Sequence, residues 1–403
     1  MKTYNKILTA AILSAALSAC GGGGGSSNSS AGAAGADDPA DTPSNPPAVT
    51  PVEDLMAPAN VVAAAGDSII RISWDEVAQA NAYTVVITSD VGQTTTSCVA
   101  TNSYAPVVVN GESYSITVQA ALLDGVECTN EGEASAAQKA EPSEIALSSL
   151  SFNDVALQNC VLDQASYLDV TTVSELDELD CGSFNITDLT GIGQLTGLTK
   201  HLFLFDNEIA SLQPLLELIP GRLEQLDLES YNSTQDEGDD AAGDISALAG
   251  FEFNGEAGKL FLANNQIVDA SPLAGNLTIA MLEVSGNNIT SLDDIAKIPH
   301  LTALSIWENG LSDLSGLEAA VKLEYLEIDG NNVTEVESLA KLVKLTELYI
   351  TDNNLRDVSS LTVLTELTQL DLDQNPNLDC DSVDIVVAAL TEATIYAEAC
   401  VPT

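Results

Sequence analysis

One pattern recurs along about half of this 403-residue chain and constrains its fold more than any other feature. It is clearest at Leu301-Thr-Ala-Leu304-Ser-Ile306-Trp-Glu-Asn309-Gly-Leu311, which reads L-x-x-L-x-L-x-x-N-x-L. A fixed period predicts stacked, equivalent units, and about nine copies lie between residues 176 and 378. The first positions of successive copies lie 22 residues apart at Ala257, Ile279, Leu301, Leu323, Leu345 and Leu367.

This consensus is that of the leucine-rich repeat, and each copy predicts a short strand followed by a turn. The leucines would point into the core and the intervening residues outwards, because side chains alternate along a strand. The sequence therefore predicts an α/β leucine-rich-repeat solenoid with parallel strands on its concave face. The asparagine would close each turn by satisfying backbone groups, and it occurs at Asn207, Asn265, Asn287, Asn309, Asn331, Asn353 and Asn375.

The second half of each unit, as in Ile289-Thr-Ser-Leu292-Asp-Asp-Ile295, resembles the 22-residue repeats of the internalins. The resemblance covers about 250 residues and implies short helical turns on the convex side and a protein ligand on the concave side. Segments on either side of the copies predict caps, namely an amphipathic helix starting at Ser151 and a helix over residues 382–390. We assign the capped repeat domain to residues 148–403.

The N-terminus predicts export. Lys2 and Lys6 precede an apolar stretch over residues 7–17 that is too short to span a bilayer, which is the order of a secretory signal. The following Ser18-Ala19-Cys20 resembles the lipobox of bacterial lipoproteins. This resemblance implies that residues 1–19 are a signal peptide and that Cys20 carries a lipid.

The residues after Cys20 predict where the anchor lies and how it is joined to the folded part. Gly21, in place of aspartate, resembles lipoproteins of the outer membrane, and periplasmic and surface-exposed orientations both stay open. Residues 20–56 are rich in Gly, Ser and Pro and have no apolar pattern, which predicts a flexible linker.

Residues 57–142 predict a separate all-β module. Short runs of alternating polarity, separated by Gly, Asn and Asp turns, predict strands at residues 70–74, 83–87 and 114–118. Together with Pro58 they resemble a fibronectin type III domain. The resemblance implies that Trp74 and Tyr83 lie in the core, that Tyr114 is the tyrosine corner, and that the module acts as a spacer.

The chain has seven cysteines, and lipidation of Cys20 would leave six for three disulfides. An oxidising compartment suits such bridges. Six cysteines allow 15 pairings, but each neighbouring couple falls inside one predicted module, which favours local pairing. The expected pairs are Cys98 with Cys128, Cys160 with Cys181, and Cys380 with Cys400.

The charge is strongly negative, −48 for the whole chain, which excludes a nucleic-acid partner. Residues 143–403 contain 45 Asp and Glu against 8 Lys and Arg. A solvating coat is the simpler explanation, and a surface for cations or a basic partner is the alternative. An insertion after Leu228 holds weak calcium candidates at Asp236, Asp239 and Asp240, although the spacing differs from an EF-hand loop.

Catalysis is not expected. His201 and His300 are the only histidines, and neither can be combined with a nucleophile and an acid inside one module. No phosphate loop or metal-ligand spacing occurs, so no cofactor is expected either.

The outward positions of the strands carry aromatic residues, which commonly anchor protein interfaces. These rings serve either as ligand anchors or as packing over their neighbours on the sheet. Two functions stay open, a protein-binding adhesin or receptor-like lipoprotein and a carbohydrate-binding or envelope-structural lipoprotein. The ligand-binding candidates are Phe203, Phe205, Phe261, Trp307, Tyr325 and Tyr349.

Overall fold

A computed structural model describes residues 55–231, 243–398 and 400. The predicted signal peptide, Cys20, most of the linker and the calcium candidates Asp236, Asp239 and Asp240 lie outside these residues. The chain divides into two compact units. The first contains most of the predicted all-β module, and the second contains every repeat together with residues 63–71 and 105–113.

Between residues 55 and 140 the chain forms eight strands, in a three-stranded and a five-stranded sheet. In the larger sheet the third strand pairs antiparallel with both the fourth and the sixth, and it is almost wholly buried. The strands are β1 (Val62–Ala65), β2 (Ile70–Ser73), β3 (Ala82–Ser89), β4 (Thr94–Val99), β5 (Ser103–Tyr104), β6 (Tyr114–Asp124), β7 (Glu127–Thr129) and β8 (Gln138–Ala140).

The predicted core of this unit is confirmed at its two largest rings. Trp74 and Tyr83 are both 4% exposed and meet edge to face with ring centroids 5.2 Å apart. Cys98 on β4 is bridged to Cys128, as local pairing predicts. Cys128 lies in β7, which pairs antiparallel with β6 after the chain turns at Gly125. The relationship to fibronectin type III domains stays a prediction.

The repeats form a ten-stranded parallel sheet in which every strand pairs with its neighbours in sequence. Nine strands come from the predicted copies, and the tenth comes from the C-terminal cap. The strands are β9 (Leu179–Asp180), β10 (His201–Phe203), β11 (Gln225–Asp227), β12 (Gly258–Phe261), β13 (Ile279–Glu283), β14 (Ala303–Ser305), β15 (Tyr325–Glu327), β16 (Glu347–Tyr349), β17 (Gln369–Asp371) and β18 (Thr394–Tyr396).

The repeat asparagines link successive copies, as predicted. Asn331 shows the pattern: its Oδ1 accepts the Leu311 N–H at 3.1 Å, and its Nδ2 donates to the Ile306 and Ile328 carbonyls at 3.0 and 3.1 Å. Asn331 is 6% exposed. Each amide therefore satisfies buried backbone groups of its own turn and of the preceding copy.

Short 3-10 helices lie between the repeat strands and before the first of them, where the sequence predicts short helical turns. At Asp188, Asp269, Asp313 and Asp357 the carboxylate accepts the N–H two residues later at 2.8 Å. These bonds lower the pKa of Asp269 and Asp313 and give part of the acidic content a structural role. The helices are Leu147–Ser149, Val173–Glu175, Ile192–Gln194, Gln213–Glu217, Ser246–Gly250, Ser271–Leu273, Ile295–Lys297, Leu317–Ala319, Glu337–Lys341 and Ser359–Val363.

Two α-helices cap the array, α1 (Val155–Leu168) and α2 (Cys380–Ala389). Helix α1 begins later than predicted because Asp154 is its N-cap and accepts the Ala156 N–H at 2.6 Å. Disulfides join Cys160 to Cys181 and Cys380 to Cys400, as local pairing predicts. Within the described part of the chain, no helix has both the length and the apolar character needed to cross a bilayer.

Candidate functional site

The register of the parallel sheet fixes which outward side chains are neighbours. We define the central column as the outward residue between the second and third leucine positions of each copy. Each member pairs with the next, as in Glu283 with Ser305 and Ser305 with Glu327. The column is Asp180, Phe203, Asp227, Phe261, Glu283, Ser305, Glu327, Tyr349 and Asp371, as the repeat pattern predicts.

Three of the six aromatic candidates are buried, which favours packing over their neighbours for these three. Phe261, Tyr325 and Tyr349 are 5%, 3% and 4% exposed. Strands about 4.8 Å apart bring large side chains of one face into mutual contact. The rings of Tyr325 and Tyr349 accordingly lie 5.6 Å apart.

The two tyrosine hydroxyls are also engaged. Tyr325 donates to Glu327 at 3.1 Å, and Tyr349 donates to Glu347 at 2.8 Å. Burial, followed by the nearby carboxylates, raises the pKa of both phenols above its usual value. These tyrosines therefore pack over the sheet, as the alternative explanation from the sequence holds.

Phe203, Phe205 and Trp307 are half-buried and keep part of their surface exposed. The Phe203 ring stacks on His201 with centroids 4.3 Å apart. The Phe205 ring lies directly over Gly182, where a Cβ atom would overlap it. Both phenylalanines thus have defined packing partners as well as exposed surface.

Trp307 lies on the outward side of the sheet just after β14, near the middle of the ten strands. Its backbone N–H donates to Ser285 Oγ at 3.1 Å, and its carbonyl accepts the Gly286 N–H at 2.9 Å. The indole Nε1 is buried and has no hydrogen-bond partner among the residues that the structure describes.

The alternation pattern places Glu283 and Glu327 on the outward face, but it does not show that they are buried. They are 8% and 2% exposed, and the buried hydroxyls of Ser285 and Ser305 lie beside them. Hydrogen bonds between residues of different strands depend on rotamers, which alternation alone does not specify.

Metal binding has no candidate in the described part of the chain, where no three His, Cys, Asp or Glu side chains are grouped to hold an ion. Asp244, which follows the predicted calcium segment, accepts the Ser246 N–H at 2.8 Å through its carboxylate.

Residues 321–363 match the family of leucine rich repeats, in a form of two copies. With the ten-stranded parallel sheet, this match confirms the leucine-rich-repeat solenoid. The chain matches none of the curated proteins with which it was compared.

Solved structures of bacterial repeat proteins resemble part of the chain. Internalin C2 of Listeria monocytogenes is 25% identical, with 63% of this chain and 97% of that one covered and a TM-score of 0.43. A second Listeria internalin, inlF, is 24% identical, with 62% and 91% covered and a TM-score of 0.39. A leucine-rich-repeat protein of Leptospira interrogans is 19% identical, with 55% and 62% covered and a TM-score of 0.38.

Proposed function

We propose that this protein is a non-enzymatic lipoprotein whose leucine-rich-repeat concave face binds a protein, as an adhesin or receptor-like module. The observation that carries the proposal is Trp307, a half-buried aromatic side chain near the middle of a regular parallel sheet. Tryptophan is enriched among the residues that dominate protein interfaces. The half-buried Phe203 and Phe205 extend the same surface towards its N-terminal end.

The ring contacts favour a protein over a carbohydrate ligand. Sugar rings stack on flat aromatic faces, but one face of Phe203 is occupied by His201, and the Tyr325 and Tyr349 rings pack together.

Trp307→Ala is expected to abolish capture of the protein ligand with little change in melting temperature. Truncating a central aromatic anchor costs at least about 2 kcal/mol, roughly a 30-fold loss of affinity. Folding should persist because the hydrogen bonds shown for Trp307 are made by its backbone. The measurement is affinity capture of surface proteins on the immobilised wild type and variant, identified by mass spectrometry.

Val343→Ala is the matched control, because Val343 is 51% exposed and lies outside the sheet. It should retain the captured protein. Equal capture by wild type and Trp307→Ala would exclude Trp307 as the anchor. Binding of wild type to a glycan array, lost in Trp307→Ala, would instead support the carbohydrate alternative.

We further propose that the protein is anchored to the bacterial outer membrane through Cys20. Support comes from the lipobox-like Leu17-Ser18-Ala19-Cys20, the following Gly21 and the Gly/Ser/Pro-rich linker over residues 20–56. Growth of cells with a palmitate analogue should label the wild type, and Cys20→Ser should abolish the label. A variant that stays labelled would show that the lipid is elsewhere.

Orientation can be tested by protease shaving of intact cells and detection of peptides containing Trp307. Their release would support a surface-exposed module with an external ligand. Their release only after the envelope is opened would support a periplasmic module and contradict the adhesin role.

A further inference from the structure

Two buried carboxyl groups occupy the middle of the central column. Glu283 ends β13 and Glu327 ends β15, and Ser305 of β14 pairs with both residues. The two glutamates are 8% and 2% exposed. Two negative charges in this setting would repel each other with little screening by water.

Hydrogen bonds around Ser305 join the two carboxyl groups to the neighbouring strands. Ser305 Oγ donates to Glu327 Oε2 at 2.8 Å. Ser285 Oγ lies 3.1 Å from Ser305 Oγ, and either hydroxyl can be the donor in that pair. Ser285 Oγ also accepts the backbone N–H of Trp307 at 3.1 Å.

Glu327 Oε2 accepts a second hydroxyl, from Tyr325 at 3.1 Å. Glu283 Oε1 accepts the Ser285 N–H at 3.2 Å, and the hydroxyls of Ser285 and Ser305 also interact with the Glu283 carboxyl.

The surroundings of Glu283 offer little compensation for a negative charge. The adjacent β12 contributes Phe261 in register and the half-buried Lys259 one pleat away, and β14 contributes Ser305 and Ala303. The other charged groups of the central column nearby are Asp227 on β11 and Glu327, both acidic. Burial is the largest influence and raises the pKa of Glu283 to about 7, the Ser285 hydrogen bond opposes it, and the charge of Glu327 adds to it.

We propose that Glu283 and Glu327 form a pH-sensitive pair in the concave face, in which Glu283 holds a proton in mildly acidic solution and loses it as the pH rises, which destabilises the middle of the array. Hydrogen bonds through Ser305 and Ser285 connect Glu327 to the backbone of Trp307. The proposal goes beyond ligand binding and is tested without a ligand.

The direction of the pH effect follows from linkage. The pKa of Glu283 is higher in the folded protein than the ordinary value of 4.5 in the unfolded chain. Its contribution to stability is therefore fully present below pH 4.5 and is lost as the pH rises towards and through 7. This is opposite to the effect of the exposed Asp269 and Asp313, whose pKa values are lowered.

The test combines Glu283→Gln with denaturant unfolding of the whole protein between pH 5 and pH 8.5. The wild-type folding constant should fall about 100-fold relative to Glu283→Gln over this range, given a rise in pKa from 4.5 to about 7. Glu324→Gln is the matched control, a half-buried carboxyl next to β15, and it should follow the wild-type pH dependence.

An NMR titration of the wild type provides a second test, which remains valid if Glu283→Gln folds poorly. The NMR signal of the Glu283 side-chain carboxyl carbon is assigned by its absence from the spectrum of Glu283→Gln. In the wild type this signal should titrate with a midpoint near 7. A midpoint below 5, or parallel pH profiles for wild type and Glu283→Gln, would overturn the proposal.

Discussion

Asn331→Ala is expected to lower the free energy of unfolding of the repeat array by at least about 3 kcal/mol. The substitution leaves the Leu311 N–H and the Ile306 and Ile328 carbonyls without the partner that the amide supplies. Each buried polar group left unpaired costs about 1–3 kcal/mol. Chemical denaturation followed by far-UV circular dichroism measures the loss.

The adjacent Asn332→Ala is the control, because Asn332 is exposed and outside the ladder of buried amides. Its expected effect is within about 0.5 kcal/mol. Asn331→Asp separates the two halves of the amide: it keeps an acceptor but loses both donors, so it should be at least as damaging as alanine. Equal stabilities of Asn331→Ala and Asn332→Ala would contradict the structural role of the amide.

Gly197→Ala is expected to destabilise the N-terminal end of the array by about 3 kcal/mol or more. A Cβ atom at Gly197 would collide with the carbonyl oxygens of Val173 and Leu176. Both atoms belong to the backbone and cannot rotate away, so the clash must be relieved by moving the chain. The expected result is a lower melting temperature in a calorimetric scan.

Gly250→Ala provides the comparison at another glycine of the same unit. Gly250 ends a 3-10 helix, and a Cβ atom there meets nothing within 4 Å. Its expected effect is neutral, or stabilising by about 0.5 kcal/mol, because alanine loses less backbone entropy on folding. If both variants melted at the wild-type temperature, the close approach at Gly197 would not limit stability.

The sequence predicts the array well because one physical constraint repeats in every copy. Leu304 and Ile306 must point inwards, so Ser305 between them must point outwards, and the 22-residue period places it beside Glu283 and Glu327. The local cysteine pairs follow from the same modular order. Helix boundaries are less certain: in a chain so rich in aspartate, nothing distinguishes Asp154 as the N-cap before its contacts are seen.

The burial and hydrogen bonding of the outward side chains could not be predicted from alternation. Alternation places Tyr325 and Tyr349 outwards, but their burial depends on contact between adjacent strands and on hydroxyl bonds to Glu327 and Glu347. The unused indole donor of Trp307 likewise depends on its rotamer and neighbours. Side-chain conformations of this kind are collective properties of several copies.

The covalent bonds at the two ends change how the stack comes apart. A linear array held by contacts between neighbours ordinarily loses order from its termini, yet here Cys160–Cys181 and Cys380–Cys400 tie both termini to helices. The weakest joint between copies is then expected in the interior, at the copy where Tyr231 stands in place of the repeat asparagine. There the Tyr231 hydroxyl donates to the Asp244 carbonyl. Under mechanical load, this joint is where the solenoid is expected to part first.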